Sequence, residues 1–195
     1  MARAGGSGLG RAEPSARPLR ALAREDLWRR LDRALDAGDG EGGAHCIHEL
    51  WMRGEIGTHV ERALARLWER AAATVPDWLP MRHVEWLPLA YEVTARFAPP
   101  RRGRTNVYLV LLDVADHRPE RHGVYVGTTD RTPLERFDQH KAGIHAAGSV
   151  LKRGLEVLAG PTRHLQRLRR ADALAVEEGL AEALRAAGVF VKGGH

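Results

Sequence analysis

Two β-rich runs set close together constrain this chain more than any other feature. The first is Asn106-Val107-Tyr108-Leu109-Val110-Leu111-Leu112, within a β-rich stretch that extends to Val114. The second is Val124-Tyr125-Val126-Gly127-Thr128-Thr129. Both are short and rich in Val, Leu and Tyr, and Ala115 to Gly123 between them is polar, so they read as paired strands of a hairpin. Thr132-Pro133-Leu134-Glu135 follows as a capping box with Pro at the first helical position. The helix it opens ends at Gly143.

The rest of the chain organises around that unit. Leu27, Trp28, Leu31 and Leu35 recur at helical spacing, and the run from Gly38 to Gly43 ends the helix. Ile47, Leu50 and Trp51 mark a second helix ending near Gly57. A third begins at about His59, with Val60, Ala63, Leu64, Leu67 and Trp68 on one face, and stops at Pro76. One Trp per helix reads as packing between helices, not base stacking. Trp78, Pro80, Trp86 and Pro88 suggest an irregular connector, and alternation of Tyr91, Val93, Ala95 and Phe97 suggests a strand inside it. Ser149 to Leu158 fits either a strand or a short helix. Ala171 to Ala187 is an amphipathic helix ended by Gly188, and Val189-Phe190-Val191 is a last short strand. The expected division is a disordered tail over 1–20, a helical region over 21–75, a connector over 76–104 and an α/β domain over 105–195.

Composition excludes several classes. The single Cys46 rules out an internal disulfide framework and suits a reducing compartment. No apolar run approaches the ~20 residues of a membrane span. Met1 to Pro18 is Gly, Ala, Ser, Pro and Arg without the apolar core of a secretory signal; Glu13 and the glycines also suit a transit peptide poorly. A cytoplasmic protein without a membrane partner is expected. Residues 1–100 carry 14 Arg against 14 Asp and Glu, whereas residues 101–195 carry 16 Lys and Arg against 11 Asp and Glu. The whole excess of five lies in the half with the tyrosine strands, which favours a polyanionic partner such as nucleic acid. Lys152, Arg153, Arg163, Arg167, Arg169 and Arg170 are the candidates to track a DNA backbone, a solvated basic face being the competing reading. His45-Cys46-Ile47-His48 has ligand residue types, but no second Cys/His pair follows, which argues against structural zinc.

The chemistry-bearing residues lie on the strands and the helix after them. A phenol has an unperturbed pKa near ~10, so Tyr108 and Tyr125 are poor bases unless cations surround them. Arg136 provides such a charge, and its guanidinium matches phosphate oxygens in a bidentate way. His140 lies four residues on, sharing the same helix face. Taken singly, each is an ordinary strand or helix-surface residue.

In order and spacing, residues 105–195 resemble the GIY-YIG nuclease superfamily. Asn-Val-Tyr108 stands where that family has Gly-Ile-Tyr, Tyr125-Val126-Gly127 matches its second motif, and Arg136 and His140 match its helical pair. The 17 residues from Tyr108 to Tyr125 make the turn an insertion. The resemblance implies an α+β fold: a small, mostly antiparallel sheet flanked by helices, here preceded by an all-helical N-terminal region. It also implies a metal-binding glutamate on a later helix. Glu177 falls on the edge of the apolar stripe of Ala173, Val176, Leu180 and Leu184, while Glu178 points nearly opposite, so Glu177 is the candidate. A solvated rim carboxylate, or one paired with Arg136, is the bland reading of it.

The implied function is metal-dependent hydrolysis of DNA phosphodiesters. One Mg²⁺ or Mn²⁺ would sit on Glu177, Tyr108 would activate water as tyrosinate, Tyr125 and His140 would orient or share the proton chain, and Arg136 would face the phosphate. Two departures stand out. Val191-Lys192-Gly193-Gly194-His195 lacks the asparagine that many members carry near the domain end, His195 being either a polar substitute or, more commonly for such a residue, simply exposed, and Thr128 stands where some have lysine. The alternative implied by the missing Asn is a catalytically weak or inactive nucleic-acid-binding or interaction module. The N-terminal helices are the expected surface for a protein partner.

Overall fold

The computed structural model describes residues 17–76, 79–80, 82–116 and 121–194. Three helices come first: α1 (Arg24–Ala37), α2 (Gly40–Met52) and α3 (Thr58–Ala71). Their apolar stripes meet in one cluster that includes Leu27, Leu31, Leu35, Ile47, Leu50, Val60 and Leu67. The glycine run read as a helix terminator does two jobs. Gly38 caps α1 in the left-handed region at φ 66°, and Asp39 then caps α2 by accepting from the Gly42 N–H. Gly40 thus opens a helix, and it packs so tightly on α3 that a Cβ there would lie 2.4 Å from the Ala71 carbonyl oxygen. Trp28 and Trp51 pack on this core as expected. Trp68 does not, being 46 % exposed. Trp78 lies outside the described residues.

The expected tail divides. Residues 1–16 lie outside the described residues, but Leu19 is buried in the helical core and Arg17 pairs with the buried Glu49. Residues 17–20 therefore belong to the helical unit. From Val84 onward the connector belongs to the sheet half, whereas Leu79 packs in the helical core. The strand expected over Tyr91 to Phe97 is a helix, α4 (Leu87–Thr94), with Pro88 in its first turn and Leu87, Ala90, Val93 and Thr94 buried. Those residues sit three or four apart, so the helical period prevails over the alternation seen in the sequence. Val84, Leu87, Ala90 and Val93 join the core beneath the sheet.

The sheet has four strands in the order β3-β1-β2-β4. β1 (Asn106–Asp113) and β2 (His122–Thr129) form the expected antiparallel hairpin, with Tyr108 opposite Gly127 and Val110 opposite Tyr125. The capping box between Thr132 and Glu135 is formed and opens α5 (Pro133–Lys141). Ser149 to Leu158 holds both expected alternatives, α6 (Gly148–Arg153) and then β3 (Gly154–Val157), which pairs antiparallel with β1. After the short α7 (Ala159–Thr162) comes α8 (Arg170–Ala186), and β4 (Val191–Gly193) closes the sheet parallel to β2. The fold is thus mixed α/β with a mostly antiparallel sheet.

Strand alternation divides the core. Val107, Leu109, Leu111, Val124 and Val126 face α4 and α8. Tyr108, Val110 and Leu112 face Val150 of α6 and Phe137 of α5. Tyr108 and Tyr125 both lie on that second face. Among the described residues no helix is long and apolar enough to cross a membrane.

Candidate active site

Tyr108, Tyr125, Arg136 and His140 come together between the hairpin and α5. The rings of Tyr108 and Tyr125 are 6.0 Å apart, those of Tyr108 and His140 6.3 Å, and those of Tyr125 and His140 5.9 Å. The Tyr108 hydroxyl is 2.9 Å from His140 Nε2. His140 Nδ1 accepts the backbone N–H of Ala147 at 2.9 Å. That second bond sets the direction of the first: Nδ1 must carry a lone pair, so the proton is on Nε2 and Nε2–H donates to the Tyr108 oxygen. The Tyr108 O–H is then free to point toward Tyr125, whose ring lies 6.0 Å away. The hydrogen-bonded pair of His140 and Tyr108 thus faces Tyr125.

The electrostatics follow burial. His140 is fully buried, and burial, helped by the Arg136 charge, lowers its pKa to about 4, so it is neutral at physiological pH. Tyr108 is 1 % exposed, and burial raises its phenol well above the ordinary value, Tyr125 adding to the rise and Arg136 opposing it. Tyr125 is half-buried and is also raised, chiefly by burial; the Tyr108 hydroxyl opposes this and the Glu177 charge reinforces it. Of the pair, Tyr125 is the phenol that solvent reaches.

Arg136 is held by the turn after α5. It donates to Gln139 Oε1 at 3.3 Å and to the carbonyls of Ile144 and His145 at 3.4 and 2.9 Å. The residues that follow α5 therefore fix both functional side chains of that helix, Arg136 through these carbonyls and His140 through the Ala147 N–H. The arginine does not pair with Glu177.

Glu177 is half-buried and Glu178 exposed, in agreement with the helical geometry. Glu177 Oε2 accepts the Thr128 hydroxyl at 2.9 Å. Strand alternation puts Thr128 on the α8 side of β2, and the parallel pairing with β4 stops at Val126 and Gly193. Glu177 thus meets β2 at its free edge, where its charge reaches Tyr125. Gly193 explains part of the missing polar residue: at φ 79°, a Cβ there would lie 2.1 Å from the Val126 carbonyl oxygen and 3.1 Å from the Tyr125 ring. His195 lies outside the described residues.

The residues around Glu177 fit a divalent ion held by one protein carboxylate. Oε1 takes no hydrogen bond among the described residues, and Mg²⁺ commonly keeps water and uses one or two carboxylates with substrate phosphates. No set of three His, Cys, Asp or Glu side chains gathers anywhere among the described residues, Glu177 included. Cys46 lies in the helical core, where burial pushes its thiol up to about 11.

The basic candidates separate into three places. Arg167, Arg169 and Arg170 are exposed just before and at the start of α8, near the Asn106 end of the hairpin. Lys152 and Arg153 lie at the opposite end of β1, where Arg153 is tied to the Asp116 carboxylate and the Asp113 carbonyl. Arg163 faces the helical half, where its charge is felt by His45 and Tyr91. Thr128 was not among the candidate site residues; its signal in the sequence was that it stands where some members of the resembling family have lysine. Searches of protein-family models, curated proteins and solved structures find no match to this chain.

Proposed function

We propose that the protein is a metal-dependent endonuclease of GIY-YIG type that hydrolyses DNA phosphodiester bonds. The observation that carries this reading is the convergence of the hydrogen-bonded His140 and Tyr108 on the half-exposed Tyr125, beside Arg136 and Glu177. Buried polar side chains normally close on one another. This cluster instead ends at a phenol open to solvent, next to a carboxylate and a guanidinium, which are the groups that phosphoryl chemistry uses.

The geometry favours different roles within the motif from those the resemblance implies. Tyr108 is too buried to meet a water molecule and serves as the donor that orients Tyr125. Tyr125 is the base. It lies closest to solvent, and the Tyr108 hydroxyl favours its ionised form. His140 holds Tyr108; its Nδ1 is committed to Ala147, so it is an anchor and not a proton shuttle. Arg136 has further N–H donors beyond those bound to the turn and faces the phosphate charge. Mg²⁺ or Mn²⁺ on Glu177 would supply Lewis-acid stabilisation of that charge. Neutralising Glu177 also removes the charge that holds the Tyr125 proton, leaving Arg136 to favour the phenolate.

The test is incubation with supercoiled and branched DNA in Mg²⁺, Mn²⁺ or chelator, beside Tyr125→Phe and Glu177→Ala variants. Metal-dependent cleavage lost in both variants is the expected result. Cleavage retained in Tyr125→Phe but lost in Tyr108→Phe would return the base role to Tyr108. A second reading, a catalytically inactive DNA-binding module, is favoured by the run Val191-Lys192-Gly193-Gly194-His195, which lacks the asparagine of that family. DNA binding without cleavage in any metal would select it.

A further inference from the structure

Three chain segments meet at the Asn106 end of the sheet. The first, residues 101–106, brings Arg101, Arg102 and Arg104. The second, 128–132, brings Arg131, and the third, 165–170, brings Arg167, Arg169 and Arg170. Against these seven arginines the segments carry one acid, Asp130, which is taken up by the Thr105 hydroxyl at 2.7 Å and by Arg104 at 3.3 Å. Arg131, Arg167, Arg169 and Arg170 are all exposed, and none has an ion-pair partner among the described residues.

Asn106, the only asparagine in the chain, staples these segments. Its side-chain N–H donates to the Arg131 carbonyl at 2.7 Å, and its side-chain oxygen accepts the Arg167 N–H at 2.8 Å. Reciprocal backbone bonds between Thr105 and Leu168, at 3.0 and 2.8 Å, hold the first segment to the third. Arg167 itself adopts φ 62°, a left-handed conformation unusual for arginine, and the staple fixes it there. The arrangement adjoins the tyrosine site: Tyr108 is two residues along β1 from Asn106, roughly 7 Å of strand, and Glu177 is two turns into α8 from Arg170, roughly 10 Å of helix.

We propose that this arginine rim is the phosphate-binding track for duplex DNA, and that the duplex runs over the Asn106 end of the sheet and not over the Lys152 end. The inference rests on reading the tyrosine site as the place of the scissile phosphate. Arg131, Arg167, Arg169 and Arg170 concentrate cation on stapled loops where Asp130, with Glu135 near Arg131 and Asp172 in the first turn of α8, offsets only part of it, and that chemistry matches a regular row of phosphates. Asn106 is a positioning residue for the track. Arg131 joins the track, while Lys152, Arg153 and Arg163 lie outside it.

The experiment measures binding of a short labelled DNA duplex by anisotropy in chelator, across a salt series, so that no cleavage is needed. The test variant combines Arg131→Ala, Arg169→Ser and Arg170→Glu; serine is a better N-cap than arginine and glutamate suits a helix first turn, so folding is not compromised. Its affinity should fall roughly tenfold or more, with the log–log salt slope reduced by about 2 to 3. Lys152→Glu should stay within about threefold of the unaltered protein. Asn106→Ala, which keeps every charge, should also weaken binding, and Asn106→Gln should not restore it. Unchanged binding and slope in the triple variant, an equal loss in Lys152→Glu, or no binding by the unaltered protein would overturn the track. Tighter binding of duplex RNA of the same sequence would overturn DNA as its occupant. Rim-dependent DNA binding without cleavage would uphold the track and remove only the hydrolase reading.

Discussion

In the helical half, Glu49 is 2 % exposed and both its oxygens are claimed, by Arg17 at 2.9 and 3.0 Å and by Arg53 at 2.9 Å. Burial alone would raise this carboxyl, but the two guanidiniums prevail and hold it below the usual range. Arg53 in turn donates to the carbonyls of Arg20 and Leu22, so the cluster closes on the backbone around it. In the sheet half, the pair of His140 and Tyr108 faces Tyr125, beside Glu177, and these last two keep a face to solvent. A closed polar cluster fixes a structure. An open one leaves an acceptor and a charge available to something from outside. The difference suits a structural role for the first and supports the proposed chemical role of the second.

The sharpest way to break that comparison is to remove the open end. Glu177→Ala and Tyr125→Phe should each cut DNA cleavage by about 10²- to 10⁴-fold, the range of a lost acid–base or charge-stabilising group. Neither should move the thermal midpoint appreciably, because both side chains are partly solvated. Glu49→Ala should do the reverse. It leaves Arg17 and Arg53 facing a buried void, and breaking such a pair costs about 3–5 kcal/mol. Urea denaturation of the two sets, beside a cleavage assay, checks the crossing of effects; a strongly destabilised Glu177→Ala would merge the two clusters into one structural class.

Tyr108→Phe probes the middle of the cluster. It leaves the buried His140 Nε2–H without its acceptor and Tyr125 without the Tyr108 hydroxyl, at a cost of about 1–3 kcal/mol. Cleavage should fall less than in Tyr125→Phe, since the substituted ring would still pack and Tyr125 would keep its hydroxyl. Equilibrium unfolding and single-turnover cleavage on the same preparation separate the two effects.

Much of this was legible in the sequence. The hairpin, the capping box and the amphipathic last helix each rest on local rules, and the choice of Glu177 over Glu178 followed from helical phase alone. What was not legible depends on packing between distant segments. Tyr91, Val93 and Phe97 alternate, yet Leu87 and Ala90 decide in favour of a helix because the sheet needs cover on that face. Gly40 reads as a breaker until α3 is seen pressed against it. The buried state of Tyr108, which favours Tyr125 as the proposed base, depends on α5 and α6 closing over β1. The Arg cluster reads as one patch in sequence order, but its members fall at three sites because α6, α7 and the start of α8 leave the sheet in different directions.

Acid should expose the histidines in both halves. His140 and His48 each have a pKa lowered to about 4 by burial, with Arg136 adding to the shift at His140. The unfolded chain takes up protons near pH ~6.5, which the folded one refuses until about pH 4, so the unfolded state binds more protons between those values. Stability is therefore full above pH ~6.5 and declines as pH falls toward 4, by up to about one proton's slope per histidine. His140→Gln and His48→Gln should each flatten that decline by its share in urea titrations across the window. Only His140→Gln should also alter cleavage, since His48 contacts Tyr91, at 3.4 Å, on the other side of the sheet.

The smallest effect tests the edge of the open cluster. Thr128 contributes one hydrogen bond, from its hydroxyl to Glu177 Oε2 at 2.9 Å. Glu177 is half-exposed, so water replaces that bond in Thr128→Val and stability should change by less than ~1 kcal/mol. The carboxylate would lose the group that fixes its rotation, and an orienting loss of about 1 kcal/mol corresponds to a roughly fivefold fall in cleavage rate. Thr128→Ser keeps the hydroxyl and should restore most of it. The metal dependence distinguishes orientation from simple packing: in Thr128→Val the Mg²⁺ concentration for half-maximal cleavage should rise, and in Thr128→Ser it should return. A rate loss in Thr128→Val with unchanged metal dependence would mean that Thr128 acts on Tyr125 through the strand, and would leave Glu177 oriented by α8 alone.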